Sequence, residues 1–282
     1  MSSEPEYGRQ QRSAIRIPPR LLIGAAIALF AIIGYFANSS KNPITGRTQH
    51  ISMTPQQEVA IGLQSAPQMA QEFGGLSRDA QATALVKRIG KNLIAKLPPE
   101  ATPYPFEFHL LADPKTVNAF ALPGGQIFIT EALFSRLETE GQLAGVLGHE
   151  AGHVLARHSA AQMAKGQLTQ GLVSAVGVAS SDSAQGAQNA ARMAQMVGGF
   201  INLKYGRDDE IEADRLGLRF MHACGYDPRS MIRVMEILKQ ASGGSGQPEF
   251  MSTHPDPGNR IEHIQAELKE LFPRDDFQGL RK

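Results

Sequence analysis

"GHEAGHVLARH", residues 148–158, places three of the chain's eight histidines within eleven positions, with Glu150 among them. No proline interrupts the surrounding "QLAGVLGHEAGHVLARH", and Thr139 with Gln142 spells a capping box ahead of it. The stretch therefore reads as a helix. Residues four apart on a helix project from one face, so His149 and His153 stand together with Glu150 beside them. Two imidazoles at this spacing are the start of a zinc site, and the glutamate is placed to reach a water there. The alternative is a pair of structural histidines in an ordinary core.

Two histidines do not complete such a site. The three-histidine form of the motif needs Gly at 156 and His at 159, where this chain has Ala156 and Ser159. His158 cannot substitute. At about 100° per residue it points roughly 140° from His153 and 180° from His149, so it reads as a packing residue or an outer partner of the site. The third ligand must come from elsewhere, and "GRDDEIEADRLGLRFM", residues 206–221, offers carboxylates on two helical stripes. Asp208, Glu212, Arg215 and Arg219 form one stripe, with acids before bases, as on a solvated face. Glu210, Ala213, Asp214, Gly217 and Met221 form the other, with two acids, no base and two very small residues. Small residues let a second helix approach, and an acid pair on a close-packed face is costly unless a cation neutralises it. On this argument Glu210 is the third ligand. Asp214, one turn on, accepts the ring N–H of a ligand histidine and fixes its tautomer.

Composition narrows the function classes. The net charge is +1 with both signs mixed, so nothing points to nucleic acid. The single cysteine, Cys224, excludes an intramolecular disulfide and a cysteine-rich zinc site. "LLIGAAIALFAIIGYFA", Leu21–Ala37, carries no charge and spans roughly 26 Å as a helix, near the lower limit for a hydrocarbon core of about 30 Å. Arg9, Arg12, Arg16 and Arg20 precede it, which predicts a cytoplasmic N-terminus and an external remainder. A cleaved signal peptide, leaving a soluble periplasmic protein, is the alternative.

The organisation that follows is a cytoplasmic tail over 1–20, a transmembrane signal-anchor over 21–37, a linker over 38–53 and one domain over 54–282. Thr54-Pro55 opens a helix, and Ser77 is expected to cap another. Phe106, Phe108 and Leu110 alternate with polar residues as in a half-buried strand. "VNAFALPGGQIFIT" reads as strand, turn, strand. The class is α+β, mostly α, with a small antiparallel sheet. "GGQIFIT" is a candidate edge strand for pairing with substrate, or else an ordinary core strand. Residues 165–200, rich in Gly, Ala, Ser and Gln, read as a mobile cover over the cleft or as closely packed small-residue helices.

"HEAGH" and "EIEAD", with "NAFALPGG" upstream and "STHPDPGNRI" downstream, resemble the zinc metallopeptidases that include the CAAX prenyl protease and the bacterial heat-shock membrane protease. The resemblance runs from about Thr54 to Phe272 and is closest to the periplasmic branch of outer-membrane quality control. It implies a zincin-like (gluzincin) fold, one Zn2+ per chain, His149, His153 and Glu210 as ligands, Asp214 behind them, and Glu150 as general base. Some periplasmic relatives carry helical repeats after this domain. The sequence runs to Lys282 without them, so functions resting on such repeats are not expected.

The expected function is a zinc-dependent endopeptidase tethered to the inner membrane. Its domain faces the periplasm, and its substrates are misfolded or misassembled envelope proteins. A tethered chaperone or adaptor built on a latent peptidase fold is the alternative, separable by casein hydrolysis with and without a chelator. His254 and Arg260, in a proline-rich loop and at a helix start, are candidates to donate to an oxyanion. His254 can instead act as a fourth ligand that blocks the attacking water, and Arg260 can be a surface salt bridge.

Overall fold

The computed structural model describes residues 18–97, 103–180, 204–241, 248–255 and 259–282. Helix α1, Pro19–Ala37, is the apolar segment, with outward-facing Leu29, Phe30 and Phe36. It is the one helix among the described residues long and apolar enough to cross a membrane. The following polar stretch is not a free linker. Strands β1 (Ser39–Lys41) and β2 (Thr48–His50) form an antiparallel hairpin. Its turn is built by Asn42, whose Oδ1 accepts from the N–H groups of Ile44 and Thr45.

Helix α2, Pro55–Glu72, starts as its sequence predicts. Thr54 Oγ1 accepts from Gln57 N–H, and Gln57 Oε1 accepts from Thr54 N–H. Helix α3, Ala80–Ile94, is capped by Asp79 rather than Ser77. The Ser77 hydroxyl donates to Glu131 and accepts from the Asp79 N–H, so it fixes the loop before the cap.

Strands β3 (Glu107–Leu111), β4 (Ala119–Leu122) and β5 (Gln126–Thr130) make the second sheet in the order β3-β5-β4. β4 and β5 form the expected antiparallel hairpin, but β3 joins β5 in parallel, so the sheet is mixed. β5 is therefore the central strand, and "QIFIT" does not lie at an edge. Each of its residues is buried, because Ile127 and Ile129 join one core while Phe128 joins a second core with Met69 and Phe73. The outer edge of β3 bonds to Gly75 and Ser77, so the open edge is that of β4.

The short helix α4, Glu131–Phe134, leads into α5, Glu140–Leu155, the predicted zinc helix. Thr139 caps it, but Gln142 completes only part of the box, because its Oε1 accepts from Glu138 N–H instead of the cap residue. Helix α6, His158–Ser180, follows after a break at Arg157, whose φ of 58° is left-handed. Helices α7 (Arg207–Ala223), α8 (Ser230–Ala241), α9 (Glu249–Thr253) and α10 (Arg260–Leu271) complete the domain. Residues 165–180 belong to α6, which packs along α1. The rest of the stretch read as a cover, 181–200, lies outside the described residues.

Candidate metal centre

Helices α5 and α7 meet through the small residues that the second stripe supplies. A Cβ on Gly148 would lie 3.4 Å from Gly217 Cα, and one on Gly152 would lie 2.8 Å from Ala213 O. The approach carries Glu210 onto the face of α5 that holds His149 and His153. The loop after α9 adds His254. Ligand atoms of these four side chains all lie within 4.8 Å of one another. Nε2 of His149 is 3.0 Å from Nε2 of His153 and 3.3 Å from Nδ1 of His254, which is 3.1 Å from Glu210 Oε1. His149 is 3% exposed, and Glu150, His153, Glu210 and His254 are 0% exposed.

Hydrogen bonds behind the histidines set their tautomers. Nδ1 of His149 donates to Asp214 Oδ1 over 2.9 Å, which leaves Nε2 a lone pair facing the cluster. Nδ1 of His153 lies 2.9 Å from Nδ1 of His158, whose Nε2 lies 2.9 Å from Glu212 Oε2. The self-consistent assignment has His158 donating to Glu212 and accepting from His153, so Nε2 of His153 also faces inward with a lone pair. Both carboxylate oxygens of Glu150 and Nε2 of His254 are buried with no hydrogen-bond partner among the described residues. Nitrogens of three imidazoles and a carboxylate oxygen converge on one small volume, and the bonds behind His149 and His153 aim lone pairs into it. That donor set suits zinc and not the oxygen-seeking Ca2+ or Mg2+.

The model of Peptidase family M48 matches residues 80–268. The chain belongs to that family. The beta-barrel assembly-enhancing protease of Escherichia coli is 30% identical over 88% of this chain and 52% of its own length. The mitochondrial metalloendopeptidase OMA1 of Schizosaccharomyces pombe is 30% identical over 88% of this chain and 72% of its own. The metalloprotease YcaL of Escherichia coli is 30% identical over 65% and 67%. The chain thus spans about half the length of the assembly-enhancing proteases it matches. Membership makes this an M48 metalloendopeptidase domain with zinc as cofactor, and the four-donor cluster is where the residues fit it.

The electrostatics of this M48 site follow from burial among like and unlike charges. Burial pushes the Glu150 carboxyl up from its ordinary range, against the pull of His254 and His149. Burial also opposes ionisation of Glu210, but the neighbouring His254 and Arg260 charges outweigh it and hold the carboxyl well down. Burial and Arg260 press the His149 ring down, yet its bonds to Asp214 and Glu210 prevail and raise it to about 9 when no cation is bound, so a metal binding at Nε2 would displace a proton to use the lone pair there. His153, buried beside that charge, is lowered.

Arg260 is buried, so a surface salt bridge is excluded. Its Nε and Nη2 grip both oxygens of Asp214 at 2.8 Å, and Nη1 lies 2.9 Å from Glu210 Oε2. It supplies the cation missing from the acidic stripe of α7. The outer stripe also differs from expectation. Arg215 pairs with Glu267 and Glu270 on α10, while Glu212 turns inward to His158 and Arg47.

Several contributors had no signal in the motifs. Tyr205 stacks on His153 with ring centroids 3.9 Å apart, and Phe250 stacks on His254 at 4.4 Å. The hairpin after α1 caps the zinc helix: Asn42 Nδ2 donates to Leu155 O and Gln49 Nε2 to Ala156 O. Arg47 reaches Asp209 and Glu212 on α7. The turn residues Asn42-Pro43 and Thr45-Gly46 were the legible hint of that hairpin.

Proposed function

We propose that this chain is a membrane-tethered zinc endopeptidase acting on envelope proteins, with His149, His153 and Glu210 as the permanent ligands and Glu150 as general base. The observation that carries the reading is the convergence of these ligand atoms beside a buried Glu150 carboxylate that has no hydrogen-bond partner among the described residues. Zinc, when bound, supplies a Lewis acid that polarises the scissile carbonyl and acidifies water. Glu150 takes the proton from the attacking water as the C–O bond forms. It then delivers that proton to the amide nitrogen as the C–N bond breaks. Asp214 and His158 keep the two histidines in the tautomers that coordinate.

His254 sits among the ligand atoms, 3.6 Å from Glu150 Oε1 through its Nε2. That placement favours a fourth ligand that keeps the resting site closed over an oxyanion donor. Arg260 serves better as the counter-charge for Glu210 and Asp214 than as a donor to substrate. The open edge of β4, which packs beside α5, replaces β5 as the strand on which an extended peptide would pair.

The anchor over 21–37, with the tail over 1–20 in the cytoplasm and the domain over 54–282 in the periplasm, is the topology that the arginine bias and α1 support. A role in envelope assembly follows the name of the Escherichia coli relative. The test is casein hydrolysis by the full chain in detergent. Glu150→Gln is expected to retain one zinc and lose activity by about a hundredfold or more. Normal turnover in that variant would refute the assignment of the base.

A further inference from the structure

Helix α6 runs back along α1. A Cβ on Gly24 would lie 2.8 Å from Ala175 O and 3.0 Å from Ala179 Cβ, and one on Gly171 would lie 2.8 Å from Ala31 Cβ. Further along, Phe30, Gly34 and Tyr35 share a groove with Ala164, Gln167 and Leu168. The order of these contacts makes the helices antiparallel, so α6 descends beside α1 to the level of Gly24. Gly24 is thirteen residues before Ala37, which puts it about 20 Å below the outer end of the anchor, in a hydrocarbon core of about 30 Å.

The composition of α6 changes at the matching point. Lys165, exposed, is its last charged residue, and Gly166 to Ser180 carry no charge. Val173 and Val176 on α6 are exposed at 59% and 68%, as Leu29 at 58% and Phe30 at 82% are on α1. Small residues line the seam between the helices, as they do where two helices pack within lipid. A helix held this closely to a membrane-spanning neighbour shares its solvent.

We propose that the bilayer is the occupant of this face: the second half of α6, from Gly171 to Ala179, is embedded in the membrane beside α1. The inference rests on the reading of α1 as an uncleaved anchor. The carbonyls of Gly171 to Val176 have their N–H partners four residues on within α6, so that part of the insertion leaves no orphan backbone group. His158, ten residues before Leu168, then stands about 15 Å above the lipid boundary. The bilayer grips both the anchor and the helix whose first residue holds His153, so protein segments close to the membrane surface are the substrates within reach.

The test uses the full chain with Cys224→Ala, reconstituted in phosphatidylcholine–phosphatidylglycerol vesicles. An environment-sensitive fluorophore is placed on Val173→Cys, Val176→Cys, Phe30→Cys or the water-facing Lys239→Cys, with bound zinc measured in each. The Val173 and Val176 probes are expected to emit at shorter wavelength than the Lys239 probe. Acyl-chain nitroxides should quench them as strongly as the Phe30 probe, and aqueous iodide should not. Quenching by iodide at 173 and 176, with Phe30 quenched by nitroxide, overturns this inference and leaves the anchor standing. An unquenched Phe30 probe removes the anchor reading and this one with it. Probes at 173 and 176 shielded from both quenchers would mean that protein covers the face, which also overturns the proposal.

Discussion

Gly152→Ala tests whether the metal centre depends on how closely two helices approach. Glycine is the poorer helix former, and alanine in its place gains up to about 1 kcal/mol of helix propensity in an open position. Gly152 is not open. The new Cβ would stand 2.8 Å from Ala213 O and 3.1 Å from Ala213 Cα, both backbone atoms that cannot rotate away. Reaching an ordinary contact of about 3.4 Å means parting α5 from α7 by roughly half an ångström, and overpacking of this kind costs about 1–3 kcal/mol. Most or all of the propensity gain is thereby offset. Gly166→Ala on α6 is the matched control, because nothing lies within 4 Å of its Cβ position. The two variants are expected to differ by about 1–3 kcal/mol in urea denaturation of the zinc-free chain in detergent, Gly152→Ala being the less stable. Zinc affinity should fall in Gly152→Ala alone, since ligand distances tolerate only about 0.2 Å and Glu210 moves with Ala213. A Gly152→Ala protein as stable as Gly166→Ala, with unchanged zinc affinity, would refute the reasoning.

His254→Ala should raise casein hydrolysis with zinc retained, because a blocking ligand is removed; a loss of kcat by tenfold or more would instead mark His254 as an oxyanion donor. Asn42→Ala and Gln49→Ala each leave a carbonyl at the end of α5 without its donor, and each should lower stability by about 1–3 kcal/mol in thermal or urea unfolding. An unchanged midpoint in both would remove the hairpin from the support of the site. Burial holds the Glu58 carboxyl above its ordinary pKa, despite hydrogen bonds from Tyr104 and Arg157. The folded chain therefore binds the Glu58 proton more tightly than the unfolded one. This contribution is full below the unfolded value near 4.5 and is lost as pH rises through the folded value. Glu58→Gln should accordingly flatten the fall in stability above that pH, as measured by parallel unfolding of the two proteins across a pH series.

Local order determined much of this protein. The spacing of His149, Glu150 and His153 is a property of any helix, and no proline or glycine pair prevents one there. The stripe of Glu210, Ala213, Asp214 and Gly217 announced the close helix contact, because small residues on one face let a second helix approach, and its acids with no base in the stripe called for a cation from elsewhere, part of which Arg260 supplies. Thr54 and Thr139 marked two helix starts, and the alternation at Phe106–Leu110 marked a strand. Longer-range facts were not legible. Asp79, not Ser77, caps α3, and Ser77 instead joins Glu131, distant in sequence, to the Asp79 N–H. β5 became central because β3 arrived on its free side from an earlier part of the chain, and only the unbroken burial of "QIFIT" hinted at it. Arg260 was indistinguishable from a surface base until α10 laid its fork across Asp214 and Glu210. His254 had two readings in sequence, and nothing in the sequence placed it 3.3 Å from His149 and 3.1 Å from Glu210. Periodicity reports which face of an element is buried. It does not report which other element covers that face, and the charges and caps of this site, and the arrival of His254 beside it, were all decided by that choice of neighbour.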